Sequence, residues 1–153
     1  MPGRSTFTAT SRSRPFSSRR VAKCTCAMDA LAQGIESWWA KKATPGSRIH
    51  AERAIRGVLD NLTAYMQGDR KAQDEMLHAA YESGVAILTT RTTAAHAMSY
   101  QITKKLGAAH GHACMLTLPH LWAHLAAQAE FATERATVEL LDLCARCREE
   151  GHR

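Results

Sequence analysis

The chain has 153 residues, of which 45% are hydrophobic, and a formal net charge of +6. This length suits a single domain with a buried core, and the chain has no run of about 18 apolar residues that would predict a membrane-spanning helix. The excess positive charge lies in residues 1–27, whereas residues 28–153 hold 14 basic and 14 acidic side chains, so the body of the protein is not expected to present a basic nucleic-acid-binding face.

The N-terminal segment, MPGRSTFTATSRSRPFSSRR, is rich in Ser, Thr and Arg and has little apolar surface to bury. This composition favours disorder, and the lack of an apolar core segment argues against a secretory signal. Organelle transit peptides share the acid-poor, Arg- and Ser-rich composition. We interpret residues 1–20 as a disordered basic tail that is not native to the domain that follows. The alternative is a basic arm that binds nucleic acid or another partner.

Residues 21–153 show a helical spacing of apolar side chains, without strand alternation or an internal repeat. The first helix is expected over Met28–Lys41, with a core face formed by Leu31, Ile35, Trp38 and Trp39. The segment 44–47 breaks the pattern, and Ser47 is available there as an N-cap. The second helix is amphipathic, with apolar residues at Ile55, Val58, Leu59, Leu62, Tyr65 and Met66.

The third helix is expected to have Asp69 as its N-cap, His78 facing solvent, and a buried stripe of Ala72, Met76, Ala80, Gly84 and Ile87. The β-branched segment 89–93 interrupts it before a helical run over Ala94–Leu106. Gly107 then lets the chain turn into a second apolar run, Ala113–Leu118, and a last helix is expected over Gln128–Glu150. Four to six helices with short breaks predict an all-α fold, a helical bundle.

Four polar residues in these helices could together bind a metal ion. Asp29 and Gln33 are four residues apart, so a helix presents both on one face. His96 and His110 lie in consecutive helical runs and can converge on one point. A carboxylate, an amide oxygen and two imidazoles suit Fe(II), Zn(II) or a similar divalent metal. The competing interpretation is structural, with the histidines satisfied in the core and Asp29 stabilised by the helix dipole.

Three separated motifs carry a resemblance to a known family. MDALAQGIESWW, TTAAHAMSY and HGHA, followed by an apolar run, resemble the iron-containing (group III) alcohol dehydrogenase family, in particular the branch that includes phosphonoacetaldehyde reductases. The likeness runs from about Val21 to about Ala126. It implies that residues 21–153 form the C-terminal helical metal-binding domain, with Asp29, Gln33, His96 and His110 as the ligands of Fe(II) or another divalent metal such as Zn.

The resemblance also implies an activity, which is hydride transfer between NAD(P) and a primary alcohol or aldehyde, such as phosphonoacetaldehyde. The metal would polarise the substrate oxygen as a Lewis acid. Tyr100, one turn beyond His96, would contact the substrate or relay a proton, and His112 would contact the substrate in a secondary role. Three positions depart from the family pattern, because Gln33 and Tyr100 stand where histidine is usual and Ala27 stands where glycine is common.

The family's nucleotide-binding domain has no counterpart in this chain, and further helices would follow Arg153, so we expect a fragment truncated at both ends. NAD(P) could then act only with a nucleotide-binding domain supplied in trans, or the chain could be a catalytically inactive remnant. We expect the fragment alone to be inactive, and the surface that would face the missing domain to be apolar and open to homo-oligomerisation.

The remaining histidines and cysteines are weaker candidates for a site. His120 and His124 are expected to be structural or exposed. A four-cysteine zinc site could be drawn from Cys24, Cys26, Cys144 and Cys147, but these pairs lie far apart in the chain. Five cysteines without a signal peptide fit a reducing cytoplasm, where we place the protein.

Overall fold

A computed structural model describes residues 18–128, and within this range all regular secondary structure is α-helical. The five helices of this range are α1 (Ser18–Trp39), α2 (Pro45–Gln67), α3 (Arg70–Thr90), α4 (Ala94–Leu106) and α5 (His110–Gln128). The predicted all-α bundle is therefore confirmed, and α4 has the predicted bounds. None of these helices is both long enough and apolar enough to cross a membrane.

Helix α1 is longer than predicted. It begins at Ser18 rather than at Met28, so it includes residues 18–20 of the predicted disordered tail. The rest of that tail lies outside the described residues. So does the predicted C-terminal helix with Cys144 and Cys147, except for Gln128, which ends α5.

The ends of the helices follow local capping chemistry. Asp69 caps α3 as predicted, because its side chain accepts a hydrogen bond from the backbone N–H of Ala72 at 2.8 Å. At α2 the predicted cap was wrong by one turn, since Thr44 is the N-cap and Ser47 completes a reciprocal capping box with it. Gly107 ends α4 with φ = 68°, a left-handed conformation that favours glycine, and so turns the chain toward α5.

Helix α1 lies at the centre and contacts α2, α3 and α5, while α4 packs on α5. The core side chains are mostly small or flexible, which lets the helices approach closely. The core consists of Ala27, Met28, Ala30, Leu31, Ala32, Val58, Met76, Ala79, Ala95, Cys114, Met115 and Leu118.

The buried face of α3 differs from the predicted stripe. The observed buried residues are Ala72, Met76, Ala79, Ser83, Ala86 and Thr90, whereas Ala80 is exposed. A series with a constant spacing of four drifts about 40° round the helix at each step, so it leaves the core face after two turns. Trp38 also departs from its predicted core position and is 42% exposed. His78 is exposed, as predicted.

An apolar groove of about 580 Å³ opens between α1, α2 and α5. Exposed large side chains on its walls include Trp38, Leu59 and Trp122, which are 42%, 54% and 42% accessible. That this groove would face another domain or a second copy stays a prediction.

Candidate metal centre

Three helices bring one carboxylate and two imidazoles to a single point. Asp29 lies on α1, His96 in the first turn of α4, and His110 at the start of α5. The Asp29 Oδ1 atom lies 3.3 Å from His96 Nε2 and 3.5 Å from His110 Nε2. The two imidazole rings meet edge to face, with centroids 5.3 Å apart. Three of the four ligands expected from the sequence thus converge, although 67 residues separate Asp29 from His96.

Close contact between two helix backbones makes this convergence possible. Gly111 follows His110, and a Cβ atom at that position would lie 1.9 Å from the carbonyl oxygen of Thr25 and 2.8 Å from the backbone nitrogen of Asp29. Both of these are backbone atoms of α1 and cannot turn away. Only glycine therefore lets the start of α5 approach α1 closely enough to place His110 beside Asp29.

Both histidines are held so that their Nε2 atoms face the site. The buried Ser99 hydroxyl donates to the His96 carbonyl at 2.7 Å, which leaves its oxygen to accept from His110 Nδ1–H at 3.3 Å. His96 Nδ1 is paired with a carboxylate oxygen of Glu36. A proton fixed on Nδ1 leaves Nε2 as the metal-binding atom, which is how outer contacts commonly orient ligand imidazoles.

Glu36 contacts this cluster and was not predicted from the sequence. It is fully buried, and one of its oxygens accepts hydrogen bonds from the Thr93 hydroxyl at 2.5 Å and from the Ala95 N–H at 2.8 Å. Thr93 makes no side-chain cap of its own, so a carboxylate of α1 caps the N-terminus of α4. A signal was present in the sequence, because Glu36 lies seven residues after Asp29 and hence on the same face of α1.

The charges of this cluster are strongly coupled in the metal-free protein. Burial alone would raise the pKa of Glu36, but hydrogen bonds from His96, Thr93 and Ala95 and the charge of His96 outweigh it and lower the pKa. Burial would likewise lower the pKa of His96, but hydrogen bonds to Asp29, Cys114 and Glu36 raise it to about 11. These contacts favour the charged form of His96, which lies between the carboxylates of Asp29 and Glu36.

Gln33 lies beside the site, but its oxygen is directed elsewhere. Its Nε2 group donates to Asp29 Oδ2 at 2.9 Å, and its Oε1 atom accepts from the Ser83 hydroxyl at 2.9 Å. In this arrangement Gln33 orients Asp29. A ligand role would require the amide to rotate and give up both hydrogen bonds.

Cys114, which the sequence analysis did not single out as a ligand, belongs to the same cluster. Its Sγ atom lies 3.9 Å from His110 Nε2, and one potential ligand atom from each of Asp29, His96, His110 and Cys114 lies within 4.8 Å of the others. The signal in the sequence was the spacing of four residues between His110 and Cys114, which places both on one face of a helix.

The two residues predicted to act on the substrate lie near this cluster but outside it. The ring of Tyr100 stacks on that of His110 with centroids 5.6 Å apart, and the residue is 62% exposed. His112 is half-buried on α5 and is not among the clustered donors.

Two other predicted groups lie away from the site. His120 and His124 are exposed on α5, as expected. Cys24 and Cys26 lie on α1, whereas Cys144 and Cys147 are outside the described residues, so the structure does not test the weaker four-cysteine alternative.

The donor set fits a divalent metal ion. Two ligand atoms bound tetrahedrally at about 2.0–2.1 Å lie about 3.3 Å apart, close to the separations of 3.3 and 3.5 Å between Asp29 Oδ1 and the two imidazole nitrogens. A carboxylate and two imidazoles suit Fe(II) and Zn(II). The arrangement can hold a Lewis acid at the meeting point of α1, α4 and α5.

Comparison with known proteins identifies the family to which these helices belong. The family model described as "Fe-containing alcohol dehydrogenase family, C-terminal" matches residues 23–152. The chain is 38% identical over 104 residues to a phosphonoacetaldehyde reductase from Streptomyces viridochromogenes. The aligned segment covers 67% of this chain and 26% of that protein.

Solved structures give the same result. The iron-containing alcohol dehydrogenase of Thermotoga maritima superposes with a TM-score of 0.64 at 33% identity, covering 65% of this chain and 28% of that one. The sulfoacetaldehyde reductase of Bifidobacterium kashiwanohense, in complex with NAD+, superposes with a TM-score of 0.66 at 30% identity, covering 70% of this chain and 29% of that one. The chain spans about a quarter of the length of these relatives and belongs to the iron-containing alcohol dehydrogenase family, whose C-terminal region it matches.

Proposed function

We propose that this chain is the metal-binding part of an alcohol dehydrogenase or aldehyde reductase that transfers hydride between NAD(P) and a primary alcohol or aldehyde. The observation that carries the proposal is the convergence of Asp29, His96 and His110 from three helices. Family members of known structure include one in complex with NAD+. Because hydride transfer requires a bound nicotinamide cofactor, we propose that turnover needs a nucleotide-binding domain in addition to these helices.

In this proposal Asp29, His96 and His110 hold Fe(II) or another divalent metal such as Zn(II), with Gln33 predicted from the sequence as a fourth ligand. The bound metal would act as a Lewis acid toward the substrate oxygen. Glu36 and Ser99 hold the Nδ1 protons of the two histidines, which keeps each Nε2 atom available. Tyr100, exposed against His110, would contact the substrate or donate a proton, and His112 would contact the substrate.

The proposed substrate class is a small aldehyde that carries an anionic group. Two relatives support this class by their names, a phosphonoacetaldehyde reductase and a sulfoacetaldehyde reductase. We propose phosphonoacetaldehyde as the first substrate to be assayed with a complete enzyme.

The experiment that tests the metal site is metal analysis after anaerobic purification with Fe(II) or Zn(II). We expect roughly one ion per chain in the wild type and loss of that ion in His96→Ala and in His110→Ala. His124→Ala is the matched control, because His124 is exposed on α5 and should not affect the metal content. A folded wild-type protein without metal would refute the proposal and favour an inactive remnant.

A further inference from the structure

We infer that Cys114 is a ligand of this metal site and occupies the fourth donor position for which the sequence had suggested Gln33. The inference rests on the proposed metal site and concerns its composition. Its basis is the position of the thiol, because Cys114 Sγ lies 3.9 Å from His110 Nε2 within a cluster whose donor atoms all lie within 4.8 Å of one another.

The backbone places this thiol at a ligand position. Cys114 follows His110 by one turn of α5, so both side chains leave the helix on the same face. Zinc-bound sulfur at about 2.3 Å from the metal would lie about 3.6 Å from a bound imidazole nitrogen, which is near the separation of 3.9 Å between Cys114 Sγ and His110 Nε2. The residue is fully buried, so water does not compete with the sulfur for that side of the cluster.

Gln33 is poorly placed for the same role. Its amide nitrogen donates to the Asp29 carboxylate and its oxygen accepts from Ser83. Exchanging the amide nitrogen and oxygen would set two acceptors against each other, the amide oxygen and the Asp29 carboxylate. Asp29 therefore fixes the orientation of Gln33, and the side chain acts as a positioning residue rather than a ligand.

A thiolate changes the expected metal. Carboxylate and imidazole alone accommodate many divalent metals, whereas a soft thiolate favours Zn(II) over a single Fe(II) ion. On binding, the Cys114 thiol would lose its proton to solvent and form a sulfur–metal bond. A set of one carboxylate, two imidazoles and one thiolate would make the site zinc-selective, in contrast to the iron for which the family is described.

Cobalt(II) substitution tests the inference on the full-length chain without an activity assay. We expect cobalt-loaded wild type to show the intense near-ultraviolet absorption of a sulfur-to-cobalt transition. Cys114→Ser should lose this band while keeping the weak visible bands of bound cobalt. Cys26→Ser is the matched control, because it removes an exposed thiol from α1 and should keep the band. Gln33→Ala should also keep it.

Zinc-edge X-ray absorption on the wild type provides a second measurement that does not depend on whether a variant folds. One sulfur neighbour is expected in the zinc shell, and zinc affinity should fall by at least about tenfold in Cys114→Ser, since the loss of an outer contact alone costs 10–100-fold. Bound cobalt or zinc without a sulfur signal would overturn the role of Cys114 and leave the proposed metal site standing. The absence of any bound metal would overturn both.

Discussion

We expect metal binding to depend on the contact between the Glu36 carboxylate and His96 Nδ1. The perturbation is to replace the buried Glu36 carboxylate by an amide of the same shape, Glu36→Gln. The amide oxygen can still accept from Thr93 and Ala95, but its NH₂ group would face His96 Nδ1. Two donors cannot pair, so the neutral imidazole should move its proton to Nε2. The atom that faces Asp29 would then no longer bind a metal.

The expected magnitudes follow from these contacts. Loss of the outer carboxylate should lower metal affinity by about 10–100-fold in Glu36→Gln. Hydrogen bonds to charged groups contribute about 1.5–3 kcal/mol each, so the free energy of unfolding of the metal-free protein should fall by about that amount. Glu36→Ala leaves three donors without an acceptor and removes one partner of a buried ion pair, which costs about 3–5 kcal/mol. That is a large part of the roughly 5–15 kcal/mol that is typical of whole domains.

The assay is competitive zinc titration together with urea unfolding followed by circular dichroism. Glu82→Gln is a matched control, because Glu82 pairs with His50 Nδ1 at 2.5 Å on α2 and α3, away from the metal centre. This control should lose stability without losing zinc affinity. If Glu36→Gln binds zinc as tightly as the wild type, Glu36 does not set the tautomer of His96 and the reasoning is wrong.

Three further predictions concern helix packing, pH and capping. Gly111→Ala should lower the melting temperature and abolish metal binding, because the added Cβ would overlap the backbone of α1. Gly84→Ala is the control, since it has open space in α3 and should stabilise the protein by up to about 1 kcal/mol. An equal effect of the two substitutions would contradict the close approach of α5 to α1 at Gly111. The raised pKa of His96 means that its charged form stabilises the metal-free protein fully below pH 6.5, and that this contribution is lost as pH rises toward about 11. Metal binding near pH 7 should therefore release a proton from His96, measurable by calorimetry in buffers of different ionisation enthalpy, and buffer-independent heats would contradict it. Thr44→Ala should lower the free energy of unfolding in urea by about 0.5–2 kcal/mol and leave zinc affinity unchanged. An unchanged unfolding midpoint would contradict a stabilising capping box at Thr44.

Local sequence determined where helices begin and end. The bounds of α4, the N-cap at Asp69 and the turn at Gly107 all follow from residues within a few positions of the feature. Capping hydrogen bonds and backbone preferences depend on near neighbours, so they can be predicted from short segments. The start of α1 was not predicted, because the expected helix began at Met28 whereas the observed helix begins ten residues earlier, at Ser18.

Tertiary packing determined which atoms form the site. The sequence placed Asp29, His96 and His110 on helices, but it could not show that Glu36 reaches His96 across 60 residues. Nor could it show that Ser83, which is 50 residues from Gln33, takes the amide oxygen. Each side chain has several possible partners until the helices pack and select one, and the close approach at Gly111 is what brings α5 and Cys114 to α1.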